Sequence, residues 1–175
     1  MLLFAITCGK AQNLTNNQLL KLYGILLDAV AQPRDKFIDA VILPINKGLS
    51  SLDPKWSAMK QKDLMYGDNE LYFTWSHPHP GTAVLNFEVT VKTIQMELSP
   101  SLQYISQQPE IFRRNLAEIK RIGKFVNQTT NELKGVDMRY KIGNVMFLYS
   151  TFPPRPDDTK RYGRPLTTYK IAINE

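Results

Sequence analysis

The sequence predicts an α+β fold, a largely antiparallel sheet packed with two main helices in a single domain. Three observations predict it. Thr15 to Val30 and Pro109 to Val126 carry apolar residues at helical spacing. Leu85, Phe87, Val89 and Val91 alternate with Asn86, Glu88, Thr90 and Lys92, the period of a strand with one buried face. Val136 to Ile142 and Val145 to Phe152 flank Gly143-Asn144, a two-residue hairpin link.

Taken in order, Leu2 to Thr7 is an apolar run of strand formers, too short and without the preceding cation of a signal peptide. Thr15 then offers an N-cap, Gln18 completes a capping box, and Leu14 against Leu19 forms a hydrophobic staple. Leu19, Leu22, Tyr23, Leu26 and Val30 give this helix its core face, and Pro33 sets its end. Phe37 to Leu43 reads as a buried strand stopped by Pro44. From Asn46 to Asp68, Gly48, Pro54 and Gly67 break any period, so a long loop is expected. Leu71 to Trp75 and Ala83 to Met96 read as antiparallel strands joined across Ser76 to Gly81, with a bulge or bend near Thr93 where the apolar parity switches. The second main helix opens with Pro109 at its first position and runs to about Val126. After the hairpin, 1–152 is complete as a globular unit. Residues 153–175 add a Pro-rich basic loop and a last strand around Tyr169, Ile171 and Ile173 to the same domain.

The chain has 175 residues, close to one domain of roughly 100–200. Its 43% hydrophobic and 22% charged residues exclude wholesale disorder, a collagen repeat and a coiled-coil rod. No apolar run approaches the ~20 residues of a transmembrane helix. A single cysteine, Cys8, excludes an internal disulfide and favours a reducing compartment, so the sequons at Asn13 and Asn127 read as coincidental. The net charge of +6 lies wholly in the second half, since residues 1–88 are balanced. A pI near 9.4 either keeps the protein dispersed or marks an anionic partner: RNA, nucleoprotein or an anionic lipid surface.

Chemistry-bearing motifs are few. There is no Gly-rich phosphate loop, no Gly-x-Ser-x-Gly and no His-Glu-x-x-His, and no catalytic residue, metal ligand or cofactor is assigned. Cys8 reads as a small packed hydrophobe, His77 and His79 as residues of a proline-rich turn, and Asp157-Asp158 as a solvated turn. The sharpest physical pattern is the second helix. At ~100° per residue, Arg113, Arg114, Lys120, Arg121 and Lys124 fall in one arc, with Glu118 at its rim. Phe112, Leu116, Ile119, Ile122, Gly123 and Val126 lie opposite. This arc, together with Arg155, Lys160, Arg161 and Arg164, is the expected anion-binding or nucleocapsid-binding set. In the loop, Leu52, Trp56, Met59, Leu64 and Met65 stand among lysines and suit either a self-association element or a lid folded back over the core.

The order of elements resembles the globular domain of rhabdovirus matrix proteins, with the small size of the plant-infecting members. The likeness is carried by Leu2 to Thr7, the capped helix from Thr15, Asp35-Lys-Phe-Ile-Asp-Ala-Val-Ile-Leu43 as a strand, a long loop, Gly81 to Val91 as a long strand, and Ile111 to Phe125 as a late amphipathic helix. It implies a non-enzymatic structural protein that self-associates, condenses a nucleocapsid and links it to an anionic membrane, in host cytoplasm and inside the virion. Two departures stand out. The chain begins directly in a strand where animal-virus members carry a basic tail, and Phe152-Pro-Pro-Arg-Pro156 has Pro156 where a Pro-Pro-x-Tyr budding motif needs tyrosine. A small viral RNA-binding or silencing-suppressor protein is the alternative. A small enzyme using His77, His79 and an acidic partner is a third.

Overall fold

The computed structural model describes residues 14–60, 65–66, 70–78, 86–94 and 100–174. Helices α1 (Asn16–Val30) and α2 (Arg34–Leu52) come first, then strands β1 (Met65–Tyr66), β2 (Glu70–Pro78), β3 (Asn86–Ile94) and β4 (Ser101–Ser106). Helix α3 (Pro109–Ile122) leads into β5 (Lys124–Thr130), β6 (Val136–Ile142) and β7 (Val145–Phe152). A short α4 (Pro156–Tyr162) precedes β8 (Thr168–Asn174). The strands form one sheet in the order β1-β2-β3-β4-β8-β7-β6-β5, with every pair antiparallel. The α+β class is therefore as the sequence predicts.

The last strand is not peripheral. β8 lies at the centre, paired with β4 on one side and β7 on the other, and it joins two meanders into one sheet. Along these strands alternate residues are buried: Phe73, Trp75 and His77, then Leu102, Tyr104 and Ser106, then Ile171 and Ile173, then Phe147 and Tyr149. The helices cover this face. Phe37 of α2 meets Phe73 edge-on at 6.4 Å, and Phe112 of α3 meets Tyr149 at 5.6 Å. The residues between them are mostly half-exposed, so the opposite face of the sheet is open by comparison.

Local chemistry explains the elements. The Thr15 hydroxyl accepts from the Gln18 N–H at 3.3 Å, and Gln18 Oε1 accepts from the Thr15 N–H at 2.8 Å, which is the capping box that starts α1. The β6–β7 link has Gly143 at φ 59, the positive value that favours glycine at the first position of a tight hairpin turn.

Several expectations are corrected. Phe37 to Leu43 is helical: Phe37, Val41, Ile45 and Leu49 are buried at four-residue spacing, and α2 continues through Pro44. Pro44 lacks the N–H that would serve the Ala40 carbonyl, but it lies at an exposed position where water can do so. The expected loop consequently begins only after Leu52. α3 stops at Ile122 and not near Val126, because Gly123 turns extended (φ −101, ψ 154) and a strand follows. The β2–β3 register runs evenly from Glu70↔Ile94 to Pro78↔Asn86, so among the described residues there is no bulge at Thr93. Ser101–Ser106 is a strand that the sequence reading did not find. His77 belongs to β2 and is buried, so it is not a turn residue. Pro156–Tyr162 is helical where a loop was expected: Asp158 accepts the Arg155 N–H at 2.7 Å at its start, and Gly163 ends it at φ 72. The expected strand Leu2 to Thr7, Cys8, Asn13 and His79 lie outside the described residues.

Candidate functional site

The site is built on α3. Pro109 opens the helix, Glu110 sits in its first turn, and Lys120 and Arg121 sit in its last, where the helix dipole favours each charge. Ile111, Phe112, Asn115 and Ile119 are buried and fix its rotation. Arg113, Arg114, Lys120 and Arg121 consequently face outward, and Lys124 follows them on the exposed β5. Glu118 does not neutralise this arc. It is half-buried and accepts from Asn16 Nδ2 at 3.1 Å, which holds its carboxylate toward α1. Arg113, Lys120, Arg121 and Lys124 have no ion-pair partner among the described residues.

At the sheet margin the cations pass from the α3 side to the open face of the β5–β6 pair. Lys124 pairs with Lys141 across β5 and β6, so two cations are brought together at the start of the edge strand. Exposed apolar groups follow α3, and two of them, Ile122 and Val126, are ones the sequence pattern set on the inward side of the helix. Ile122 is 46% exposed, Phe125 53%, Val126 45% and, in the β5–β6 turn, Leu133 45%. They were missed because the helical period stops at Gly123 and strand alternation replaces it. The run Val126, Thr129 and Thr130, rich in β-branched residues, was the available signal.

The remaining cations do not join this arc. Arg155 and Lys160 are exposed on and before α4, Arg164 is exposed just after it, and the Arg161 side chain lies outside the described residues. Arg155 and Asp158 line a cavity of about 390 Å³ with Gln103, Ile105, Phe152 and Lys170. Gln103 and Lys170 alternate with the core residues Tyr104 and Ile171, so this second group belongs to the open face of the sheet and α3 to the other.

The expected self-association loop is also corrected in part. Trp56 is 4% exposed and Met59 5%, so neither is a surface anchor and both act as a lid over the core. Asn46 holds the lid: its amide donates to the Met59 carbonyl at 2.9 Å, and its oxygen accepts from the Met59 N–H at 3.0 Å and from Trp75 Nε1 at 2.6 Å. The Ser57 N–H donates to the Ser76 carbonyl at 2.8 Å, and the Ser57 hydroxyl accepts from the Ser76 N–H at 2.8 Å. Leu52 is half-buried at the end of α2, Leu64 lies outside the described residues, and of Met65 only the backbone, in β1, is described.

His77 is wholly buried under Trp56, with ring centroids 5.2 Å apart. Its Nε2 lies 3.0 Å from Asp53 Oδ2, and its Nδ1 lies 2.9 Å from the Pro78 carbonyl oxygen. Asp53 is held below the usual carboxylate range chiefly by the Lys55 N–H, from which it accepts at 2.9 Å; burial opposes this as the next largest effect, and His77 adds to the lowering. Set among core aromatics and wholly buried, His77 fastens the lid. Among the described residues no three His, Cys, Asp or Glu side chains converge as a metal site would, and no helix is long and apolar enough to cross a membrane. No family model, curated protein or solved structure matches the chain.

Proposed function

We propose that this is a non-enzymatic assembly protein of the viral matrix type, which self-associates and bridges a nucleocapsid to an anionic membrane surface. The observation that carries the reading is the outward arc of α3. The exposed cations Arg113, Arg114, Lys120, Arg121 and Lys124 run into exposed Ile122, Phe125 and Val126, so basic and apolar groups share one corner. Cations at phosphate depth with apolar groups beside them suit a headgroup layer, where each basic residue adds about 1 kcal/mol of attraction. The resemblance in element order gives less support than the sequence suggested, because one of its strands, Asp35 to Leu43, lies within α2.

A small RNA-binding protein is the second reading. It is favoured by Lys124, Arg139 and Lys141, which register places on the open face of the β5–β6 pair. Co-sedimentation with anionic and neutral vesicles, and with nucleoprotein, tests the first reading. Binding to anionic vesicles and to nucleoprotein supports it. Binding to free RNA alone, with the steep inverse salt dependence of counterion release, supports the second.

A further inference from the structure

We propose that a second copy of this chain adds to the free edge of β5, through a twofold axis at Gln128, so that the sheet continues across the pair. This names the surface for the self-association in the function proposed above and rests on that reading.

β5 ends the sheet and pairs only with β6 among the described residues, and all seven of its residues are exposed. Its other long side therefore presents backbone donors and acceptors that no described strand pairs, a template for another strand. Natural edges are guarded by charge, proline or bulges. Here the guard is Lys124 and one irregularity between Phe125 and Asn127, and Phe125 to Thr130 carries no charge and no proline. Phe125 to Thr130 thus offers an anionic partner no charged side chain, and Lys124 and the cations of α3 serve that partner instead. Ile122, Phe125 and Val126 gather at the start of this edge, whereas of the other large exposed apolar groups among the described residues Leu133 lines the cavity beside Phe152 and Leu43 is on α2.

The opposite margin points to the symmetry. β1 has two residues, too few to receive a seven-residue strand, and beyond it Ser57 occupies the Ser76 N–H and carbonyl on the outer side of β2, so among the described residues a head-to-tail strand filament has no second edge of matching length. A twofold pair uses one long edge twice. Antiparallel pairing centred on Gln128 sets Asn127 against Thr129 and Val126 against Thr130 of the second copy. Lys124, the only charge on the strand, comes toward Glu132 of the second copy. The two copies of Lys124 stand ~27 Å apart along the strands, well beyond a Debye length of ~8 Å.

Sedimentation velocity on the full chain tests this, with circular dichroism to show that each variant folds. The wild type dimerises with rising concentration. Gln128→Lys and Gln128→Glu each put two like charges face to face at the axis, so each weakens dimerisation by about tenfold. An equal mixture of the two variants restores it, since unlike charges then meet. A wild type that stays monomeric, variants that dimerise as well as wild type, or a mixture no better than either variant alone overturns the interface. Vesicle binding on the same samples separates the two readings: a monomer that still binds anionic vesicles removes this interface and leaves the anionic face standing.

Discussion

Asn16 and Asn115 lock α1 to α3 from both sides of their joint. Asn16 Nδ2 donates to the Asn115 backbone carbonyl at 2.8 Å, and Asn115 Nδ2 donates to the Leu14 carbonyl at 2.8 Å. Both side chains are buried, and the Tyr149 hydroxyl donates to Asn16 Oδ1 at 2.6 Å from the sheet below. This joint ties the inner side of α3 to α1 and β7, and the basic arc faces outward as a result. Burial pushes the Tyr149 hydroxyl far above its usual value, so it stays a donor throughout the accessible pH range.

Tyr149→Phe should cost about 1–3 kcal/mol of stability, because it strands a buried acceptor on Asn16 while keeping the ring. Urea unfolding measures it. An unchanged midpoint would contradict a structural role for the hydroxyl.

Trp56→Ala should destabilise the folded chain by ~3–5 kcal/mol, the cost of emptying a buried indole site. Dimerisation of the molecules that remain folded should be unchanged. Denaturation beside sedimentation reads both, and lost association with unaltered stability would return Trp56 to a surface role.

Asp53 gives the lid a defined acid response. Its folded-state value is lowered from 3.8, so its contribution is complete above that value and is lost as pH falls through the lowered one. Asp53→Asn should therefore be less stable than wild type at neutral pH, and the gap should narrow as pH falls below 3.8 and through the lowered folded-state value. Unfolding midpoints of both proteins across that range check the sign; a gap that widens in acid would refute it.

Gly135→Ala should disturb the β5–β6 margin. An added Cβ would collide with the Thr151 carbonyl, which also accepts from Asn131 Nδ2 at 3.0 Å. Overpacking of this kind costs typically 1–3 kcal/mol. Thermal melting provides the test, and a wild-type melting curve would show that the backbone there can give way.

What the sequence disclosed follows from how local each feature is. Thr15 with Gln18 and Gly143-Asn144 act within a few residues, so α1 and the β6–β7 hairpin were legible. Phe37 to Leu43 was ambiguous because a short apolar run fits either period, and only Ile45 and Leu49 beyond Pro44 decide for the helix. The place of β8 between β4 and β7 is a long-range choice that no local pattern encodes. The same holds for His77, buried by the distant Asp53 and Trp56. Of the candidate site, the arc of Arg113 to Arg121 was readable from helical spacing. The exposed Ile122, Phe125 and Val126 were not, because the chain changes from helix to strand at Gly123.

The central claim is tested most directly by replacing Arg113, Arg114, Lys120, Arg121 and Lys124 with Gln and measuring binding to anionic vesicles across a salt series. All five are exposed, so the variant should fold and melt like wild type. Its vesicle affinity should fall steeply, and the remaining binding should lose most of its salt dependence. A variant that melts like wild type and binds the same vesicles equally well at every salt concentration would contradict the assignment of α3 as the anionic face.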